Sequence, residues 1–430
     1  MKIITRPRRE DWPELLARPK LEQKGLERSV RKIMEAVKKR GDRAVRKYTQ
    51  EFDGISLRKI EVTDKEIREA EKQIETQLKE AILQAAKNIK KFHETQIADI
   101  TVVETMPGVT CWRKSIAIDS VGLYIPGGTA PLFSTILMLG IPATLAGCRE
   151  IILCSPPDAQ GKLHPAILFT AKLVGVKRIF KAGGVQAIAA MTYGTDTIPK
   201  VDKIFGPGNQ YVTAAKQFAQ QEGMAIDMPA GPSEVCVLAD ATANPAFVAA
   251  DLLSQAEHGI DSQVLLISDD PKLISRTLEE VKLQVELLSR RDLASAALEN
   301  SKAILVDDLK EGMAIVNDYA PEHLIIACSD DEKLAGMIIS AGSVFLGHYT
   351  PESAGDYASG TNHTLPTNGH ANAYSGVSLD SFVKKVTFQK ISKEGLTNLG
   401  GTIVTMADAE GLQAHAEAVR LRLRSFAVKS

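Results

Sequence analysis

The sequence predicts an α/β protein with two doubly wound parallel-sheet domains of the Rossmann type, a helical N-terminal region and a small helical C-terminal domain. Three observations predict this class. Apolar residues at helical spacing dominate the first hundred residues, short apolar strands alternate with helical segments after residue 119, and glycine turns separate a strand from a helix three times. A strand, a turn and a helix in repeated succession are typical of a parallel sheet with helices on both faces.

The N-terminal region is predicted to consist of helices. Apolar residues recur at the spacing of one helix face between Leu26 and Val37. Thr63 and Glu66 have the form of a capping box, which predicts one long helix from Thr63 toward His93. Strand patterns begin only after this region, so the sheets are expected to be built from the rest of the chain.

The first doubly wound unit is predicted in residues 119–232. Strands are expected at residues 120–125, 151–154, 176–180 and 203–205. Helices are expected to begin at about residue 134, to cover residues 165–173, to begin again at the second glycine turn, and to run from the third glycine turn through residue 215. Three glycine turns lie between a strand and a helix: Pro126-Gly127-Gly128, Ala182-Gly183-Gly184 and Gly206-Pro207-Gly208-Asn209. Such turns expose helix N-terminal amides to a phosphate, yet they also serve simply as tight turns. Because no GxGxxG or Walker-type string is present, the two interpretations stay open.

The second doubly wound unit is predicted in residues 233–376. Strands are expected at residues 235–238, 264–267, 303–306 and 324–327, and Asn244-Pro245 predicts the start of a helix that ends near residue 257. Residues 342–376 are rich in Gly, Ser, Asn, His and Pro, which predicts a long functional loop. Beyond it, a short strand segment and a single helix from Met406 to the C-terminus are expected.

Composition and charge exclude two classes of partner. The 430 residues carry 52 basic and 53 acidic side chains, a balance that argues against nucleic acid as a partner. The most apolar stretch, residues 134–148, is interrupted by Gly140, Pro142 and Gly147 and is too short to span a bilayer. Five cysteines without a CxxC pair predict a reducing compartment, and the N-terminus lacks an apolar signal core. A protein without a membrane partner is therefore expected, located in the cytoplasm or in an organelle after removal of a leader.

Nitrogen and oxygen donors in the second half of the chain could bind a metal ion. Six of the eight histidines follow residue 250. Gln255 and His258 are three residues apart at a predicted helix end, and Asp356 lies in the long loop. His415 follows Glu410 by five residues in the predicted C-terminal helix. These residue types suit Zn²⁺, although their spacing matches no short metal motif and a histidine at a helix end can equally stabilise the helix dipole.

Glu322 and His323 are adjacent at the start of a predicted strand. Two adjacent proton-transfer groups could supply general acid–base chemistry near neutral pH, and a polar pair on an edge strand is the alternative interpretation. The cysteines have no obvious activating neighbour in the sequence, so a thiol nucleophile is not favoured. If histidine carries the chemistry, it is expected in the second unit and the tail.

Six unusual strings give the chain a resemblance to a known family. They are Tyr124-Ile125-Pro126-Gly127-Gly128, Phe205-Gly206-Pro207-Gly208-Asn209, Gly231-Pro232-Ser233-Glu234, Gln255-Ala256-Glu257-His258-Gly259, Ala320-Pro321-Glu322-His323-Leu324 and Gly360-Thr361-Asn362-His363-Thr364-Leu365-Pro366-Thr367. Any one string alone would be weak, but together and in this order the chain resembles the histidinol dehydrogenase family over nearly its whole length.

The resemblance implies roles for individual residues. The implied zinc ligands are Gln255, His258, Asp356 and His415. The implied catalytic pair is Glu322 and His323. The implied substrate contacts are Ser233, His363 and Glu410, together with His323 and the four zinc ligands. The implied NAD contacts are Tyr124, Gln186 and Asn209, which would place this cofactor on the glycine turns.

The resemblance also implies a reaction. L-histidinol would be oxidised through L-histidinal to L-histidine, with reduction of two NAD and with Zn²⁺ anchoring the substrate. His323 would take the proton of the alcohol, and Glu322 would activate water for the second oxidation. Two alternatives stay open: a cysteine-dependent aldehyde dehydrogenase of related architecture, and a zinc hydrolase in which Glu322 activates metal-bound water.

Domain borders and assembly are predicted from the same resemblance. Residues 1–25 form an N-terminal arm, and residues 26–118 with 233–376 form a catalytic and zinc domain. Residues 119–232 form the NAD domain, and residues 377–430 form a C-terminal domain. The resemblance implies a homodimer in which this last domain is swapped onto the partner subunit, although the sequence alone would also allow it to dock on its own subunit.

Overall fold

The computed structural model describes residues 1–19, 25–127, 131–229 and 231–427. Gly128 of the first predicted glycine turn lies outside the described residues. The chain divides into two compact units, residues 1–96 with 118–382 and residues 97–117 with 383–430. No helix in the described ranges is long and apolar enough to cross a membrane. The predicted domain borders within and between these units stay predictions.

The β-strands of the described chain are numbered in sequence order. They are β1 (Lys2–Thr5), β2 (Val102–Met106), β3 (Val109–Ala117), β4 (Ser120–Tyr124), β5 (Glu150–Ser155), β6 (Arg178–Lys181), β7 (Lys203–Phe205), β8 (Ala225–Ile226), β9 (Glu234–Ala239), β10 (Gln263–Ser268), β11 (Lys302–Leu305), β12 (His323–Ala327), β13 (Ser343–Leu346) and β14 (Val383–Ile391).

The α-helices are numbered in the same way. They are α1 (Trp12–Leu15), α2 (Leu26–Arg40), α3 (Asp42–Asp53), α4 (Asp64–Gln73), α5 (Thr76–Glu94), α6 (Phe133–Ala146), α7 (Pro165–Leu173), α8 (Gly184–Tyr193), α9 (Gln210–Gln221), α10 (Pro245–Ala256), α11 (Pro271–Val285), α12 (Arg291–Glu299), α13 (Leu309–Tyr319), α14 (Asp331–Ala335), α15 (Glu352–Tyr357), α16 (Lys393–Ala409) and α17 (Gln413–Ala427). Short 3-10 turns cover Arg9–Asp11, His370–Asn372 and Leu379–Phe382.

The first sheet contains five parallel strands in the order β6-β5-β4-β7-β8. All five residues of β4 are buried, as expected for the central strand of a sheet covered on both faces. Helices α2 and α3 pack with α8 and α9 in one core, while α5 packs with α6 and α4 with α7 in another. The N-terminal helices therefore extend the two helical layers of this sheet.

The second sheet contains six parallel strands in the order β1-β11-β10-β9-β12-β13. Apart from β1, its strand order repeats that of the first sheet, so the prediction of two doubly wound parallel sheets is confirmed. Strand β1 was not expected in the N-terminal arm. It is four residues long, largely exposed and pairs at the edge with β11, so its sequence carries little of the apolar pattern that reveals a buried strand.

Three predicted boundaries are wrong. The helix expected from Thr63 to His93 is two helices, α4 and α5, because Ile74 and Glu75 adopt extended conformations between them. The helix expected from Met406 onward is also two, since the chain turns at Gly411, whose φ is +73°. The expected long loop at residues 342–376 contains β13 and α15.

The second compact unit contains the antiparallel sheet β14-β3-β2 and the helix pair α16 and α17. Trp112 and Phe388 face each other across β3 and β14, with their rings stacked at 5.4 Å. Ser392 caps α16 by accepting a hydrogen bond from the Gly395 amide. The C-terminal domain predicted as helical therefore combines two helices with strand β14.

Candidate active site

The predicted catalytic pair lies at the amino end of the second sheet. His323 is the first residue of β12, which lies between β9 and β13, so the pair does not lie on an edge strand. The Glu322 and His323 side chains are almost completely buried. Glu234 begins the neighbouring strand β9 and faces both of them.

One residue's backbone holds both members of the pair. The amide N–H of Glu234 donates to Glu322 Oε2 at 2.8 Å. The carbonyl oxygen of Glu234 lies 3.1 Å from His323 Nδ1, which therefore carries the proton and donates it. In the neutral imidazole this arrangement leaves the lone pair on Nε2, which lies 3.4 Å from Asp356 Oδ1.

Burial and charge shift the pair's proton affinities. Burial raises the pKa of Glu322 above its usual value. Burial alone would lower the pKa of His323, but the surrounding carboxylates of Glu322, Asp356 and Glu352 outweigh it and hold that pKa well above the usual value. Two groups that both bind a proton readily, side by side in a buried site, are suited to proton transfer.

Four acidic, amide and imidazole side chains lie near His323. Gln255 is in the last turn of α10 and His258 follows that helix, while Glu352 and Asp356 are four residues apart on α15. His323, Glu352 and Asp356 place donor atoms within 4.8 Å of one another. Glu352 was missed in the sequence, although its spacing from Asp356 on one helix face could have indicated it.

The donor atoms fit a divalent cation. The Gln255 amide nitrogen donates to the Glu352 carboxylate, so the amide oxygen of Gln255 points away from Glu352. Gln255 Oε1, His323 Nε2 and Asp356 Oδ1 are buried without a hydrogen-bond partner among the described residues. Desolvation lowers the pKa of His258, so its ring is neutral and able to ligate. Amide oxygen, carboxylate oxygen and neutral imidazole nitrogen are donors that Zn²⁺ accepts.

His363 joins this cluster to the first sheet. Its Nδ1 donates to the Asp356 carbonyl oxygen at 2.8 Å, and its Nε2 accepts from the Thr135 hydroxyl at 3.0 Å. Thr135 lies in the first turn of α6, the helix that follows β4. The hydrogen bond therefore connects the two sheets beside the predicted metal ligands.

The predicted NAD contacts lie together in one cleft. Tyr124, Gln186 and Asn209 line a cavity of about 1030 Å³ at the carboxyl end of the first sheet. The cavity lies between β4 and β7, where the strand order of the sheet reverses direction and the helices that follow the two strands lie on opposite faces. Open α/β sheets bind their ligands at such a switch point. The residues thus share a site of suitable size for a dinucleotide.

Backbone geometry shapes this cleft. Gly206 has φ +126°, and a Cβ there would lie 2.0 Å from the Tyr124 carbonyl oxygen, so only glycine fits. The Tyr124 hydroxyl accepts from the Gly184 amide at 3.0 Å. Asn209 Oδ1 caps α9, which leaves its amide nitrogen as the group able to donate to a ligand. The oxygen Oε1 of Gln186 is buried and has no partner among the described residues.

A buried ion pair supports the Gly206 turn. Asp227 Oδ2 accepts from the Gly206 amide at 2.8 Å, and Lys216 Nζ donates to the Gly206 carbonyl at 2.9 Å. Lys216 and Asp227 also pair directly with each other. Sequence reasoning missed this pair, because a lysine within a helix is normally solvated.

Four of the five cysteines, three buried and one partly buried, are poorly suited to nucleophilic catalysis. Burial raises the pKa of Cys148 to about 11 and that of Cys328 to about 12. Burial also raises the pKa of Cys154 and Cys236, which are inaccessible to solvent. None of these four thiols has the lowered pKa of a reactive cysteine.

The remaining predicted substrate contacts lie in different places. Ser233 directly precedes β9 and Glu234, and it is half-buried. Glu410 and His415 belong to the second compact unit, where Glu410 follows α16 and His415 lies in α17. The first unit therefore contains all the other predicted site residues, including the catalytic pair.

Comparisons with known proteins give one result. A family model described as histidinol dehydrogenase matches residues 16–423. A histidinol dehydrogenase of Bacteroides fragilis is 60% identical over 426 residues, covering 99% of this chain and 100% of that protein. One from Bacteroides thetaiotaomicron is 59% identical with the same coverage. A crystal structure of histidinol dehydrogenase from Elizabethkingia anophelis matches with a TM-score of 0.97 at 55% identity, covering 99% of this chain and 98% of that one.

Proposed function

This chain belongs to the histidinol dehydrogenase family, oxidoreductases of histidine biosynthesis, and on that premise we propose the reaction in detail. The enzyme oxidises L-histidinol through L-histidinal to L-histidine, with Zn²⁺ holding the substrate and two NAD reduced per turnover. The observation that carries the proposal is the buried Glu322–His323 pair on the Glu234 backbone, next to unpaired oxygens of Gln255 and Asp356.

Both cofactors have residues able to hold them. Gln255, His258 and Asp356 would hold zinc, with His415 as the fourth ligand implied by the resemblance. Tyr124, Gln186 and Asn209 line the cleft for NAD. When bound, zinc supplies a fixed positive charge that orients the substrate's amine and imidazole, and NAD supplies the hydride acceptor.

His323 acts in the first oxidation. Its Nδ1 proton is committed to the Glu234 carbonyl, so Nε2 is the atom that exchanges a proton with substrate. Zinc held by Asp356 would offset the carboxylate charge that raises the pKa of His323, which would leave Nε2 free to act as a base. As the carbinol carbon loses a hydride, Nε2 accepts the hydroxyl proton and the product is the aldehyde. The hydrogen bond at Nδ1 keeps the ring in the tautomer that this transfer needs.

Glu322 acts in the second oxidation. As a carboxylate it accepts a proton from water while the water oxygen adds to the aldehyde carbon, which gives the hydrate as its monoanion. This anion then loses the second hydride and its remaining hydroxyl proton, and the product is the carboxylate of histidine. Burial raises the pKa of Glu322, which makes it a stronger base once ionised.

We also propose a homodimer with residues 377–430 swapped, so that Glu410 and His415 complete the site of the partner subunit. The resemblance supports this arrangement, and both residues lie in a compact unit separate from the catalytic pair. A cytoplasmic location is proposed in keeping with five free cysteines, which are typical of a reducing compartment.

The central test separates the two oxidations. Glu322→Gln should slow oxidation of added L-histidinal by about 10²- to 10⁴-fold, the usual effect of removing a positioned acid or base, and slow oxidation of L-histidinol to the aldehyde much less. Stopped-flow NADH absorbance measures each half-reaction. The exposed Glu332→Gln is the matched control and should leave both rates unchanged. Equal losses in both half-reactions would contradict the division of roles.

The unmodified enzyme tests the reaction itself. Two NADH should form for every L-histidinol consumed. A zinc hydrolase would form none, and the NAD-sized cleft at the first sheet disfavours that alternative. A cysteine-dependent aldehyde dehydrogenase would lose activity on thiol alkylation with zinc still bound, and the raised thiol pKa values of Cys148 and Cys328 disfavour it.

A further inference from the structure

The N-terminal segment contacts the amino end of the second sheet through Arg18. Its Nε and Nη2 donate to Glu234 Oε1 and Oε2 at 2.9 and 3.0 Å, a bidentate pair. The guanidinium carbon lies 3.8 Å from the centre of the Tyr319 ring, and Nη2 also donates to the Tyr319 carbonyl. The Glu234 side chain is 1% exposed and that of Arg18 is 15% exposed, so the pair is largely removed from water.

The same carboxylate also fixes the loop that carries His363. Glu234 Oε1 accepts from the backbone amide of Asn368 at 2.8 Å. The preceding residue, Thr367, accepts a hydrogen bond from the Gly231 amide through its hydroxyl. The Glu234 carboxylate is thus held from two sides, by the guanidinium of Arg18 and by the loop after His363.

The position of the Glu234 backbone decides where both members of the proposed catalytic pair lie. Its N–H holds the Glu322 carboxylate and its carbonyl holds His323 Nδ1. A rotation of this residue would break both hydrogen bonds together. It would also allow His323 to change tautomer, because the Glu234 carbonyl is the acceptor that keeps the proton on Nδ1.

We infer that Arg18 is a positioning residue for the proposed reaction: its bidentate bond to Glu234 holds the backbone that orients Glu322 and His323. The inference rests on the proposed function. An arginine is required because its planar fork engages both carboxylate oxygens while its face stacks on Tyr319, which a lysine cannot do. A buried ion pair adds little net stability compared with an apolar pair, so orientation accounts better for its presence here.

The test is Arg18→Lys, which keeps the charge and loses the fork. Because both catalytic groups depend on Glu234, the rates of the two half-reactions should fall together by about 10- to 100-fold, the usual cost of losing an orienting partner. The KM values for L-histidinol and NAD should change by no more than about twofold, since no binding contact is removed. The control is Arg8→Lys, an exposed arginine of the same segment, which should behave as unmodified enzyme.

Three results would overturn the inference. They are unchanged rates in a folded Arg18→Lys enzyme, a raised KM with rates retained, and loss in only one half-reaction. If Arg18→Lys does not fold, the same measurements on Glu234→Gln test the inference. This variant keeps the backbone N–H and carbonyl that bind Glu322 and His323, but its neutral amide binds the Arg18 guanidinium more weakly. Unmodified enzyme that formed no NADH would overturn the proposed function and this inference with it, a result separate from the other three.

Discussion

Replacing Lys216 by methionine tests how far the proposed NAD cleft depends on a buried ion pair. The side chains of Lys216 and Asp227 are 4% and 2% exposed. The change removes the cation, leaves the Asp227 carboxylate buried and takes the Nζ partner from the Gly206 carbonyl. Breaking one half of a buried pair costs about 3–5 kcal/mol, so Lys216→Met should lower the free energy of unfolding by that amount.

Function should change in the same variant. The Gly206 turn borders the cleft that Asn209 lines, so loosening its backbone should raise the KM for NAD more than the KM for L-histidinol. Urea unfolding followed by circular dichroism gives the stability, and initial rates give the two KM values. The double variant Lys216→Met with Asp227→Asn should recover part of the lost stability, because it no longer buries an unpaired charge.

Lys172→Met provides the matched control. Lys172 lies on α7, which covers the same sheet, and pairs with Glu71 at 2.8 Å, but the two side chains are 53% and 42% exposed. An exposed pair of this kind contributes about 0–1 kcal/mol, so the control should be nearly neutral. Equal losses in the Lys172 and Lys216 variants would refute the argument from burial, and an unchanged KM for NAD would refute the link to the cleft.

Two further predictions concern the metal and the assembly. Removing zinc with a strong chelator should abolish NADH formation from L-histidinol and added Zn²⁺ should restore it, whereas full activity in folded, metal-free enzyme would contradict the assignment of Gln255, His258 and Asp356. Refolding Glu322→Gln together with His415→Asn should restore about a quarter of the sites in a swapped dimer, because half the dimers are mixed and each of these has one intact site. Mixed dimers that stay inactive would exclude the swap.

The two parallel sheets could be predicted because their signals are local. Each central strand is a short apolar run, and a glycine turn follows several of them, so neighbouring residues alone specify strand, turn and helix. Gly411 shows that a local signal can also be missed. A glycine near the end of an apparent helix indicates a C-terminal cap, and with φ +73° it separates α16 from α17.

The contacts that hold the candidate site residues in place could not be predicted, because they join segments that are far apart in the sequence. Arg18 and Glu234 are 216 residues apart, and nothing near Arg18 in the sequence indicates a buried carboxylate. Lys216 resembles a solvated helix residue until β8 and its following turn bring Asp227 beside it. The resemblance implies that Glu322 and His323 are the catalytic pair, but only the fold shows that the Glu234 backbone holds both side chains.

The two sheets have the same core strand order, but the predicted site residues lie at opposite ends of them. Tyr124 and Gly206 lie at the carboxyl end of the first sheet, whereas His323 lies at the amino end of the second. At the carboxyl end of the second sheet, Asp240 follows β9 and accepts hydrogen bonds from Ser329, and such bonds lower the pKa of its carboxyl despite burial. An ionised carboxylate there would repel a phosphate, so this switch point is unsuited to a nucleotide.

Two hydrogen bonds connect the carboxyl end of the first sheet with the cluster at the amino end of the second. Thr135 begins the helix that leaves the carboxyl end of the first sheet, and its hydroxyl donates to His363, which in turn donates to the Asp356 carbonyl. Helix α6, which leaves the same end of the first sheet as the proposed NAD cleft, is therefore connected to Asp356 in the cluster of proton-transfer groups through two hydrogen bonds. In the proposed reaction, hydride and proton leave adjacent atoms of one alcohol, so the NAD cleft and the proton-transfer cluster must be held in a fixed relation, and these two hydrogen bonds would contribute to holding it.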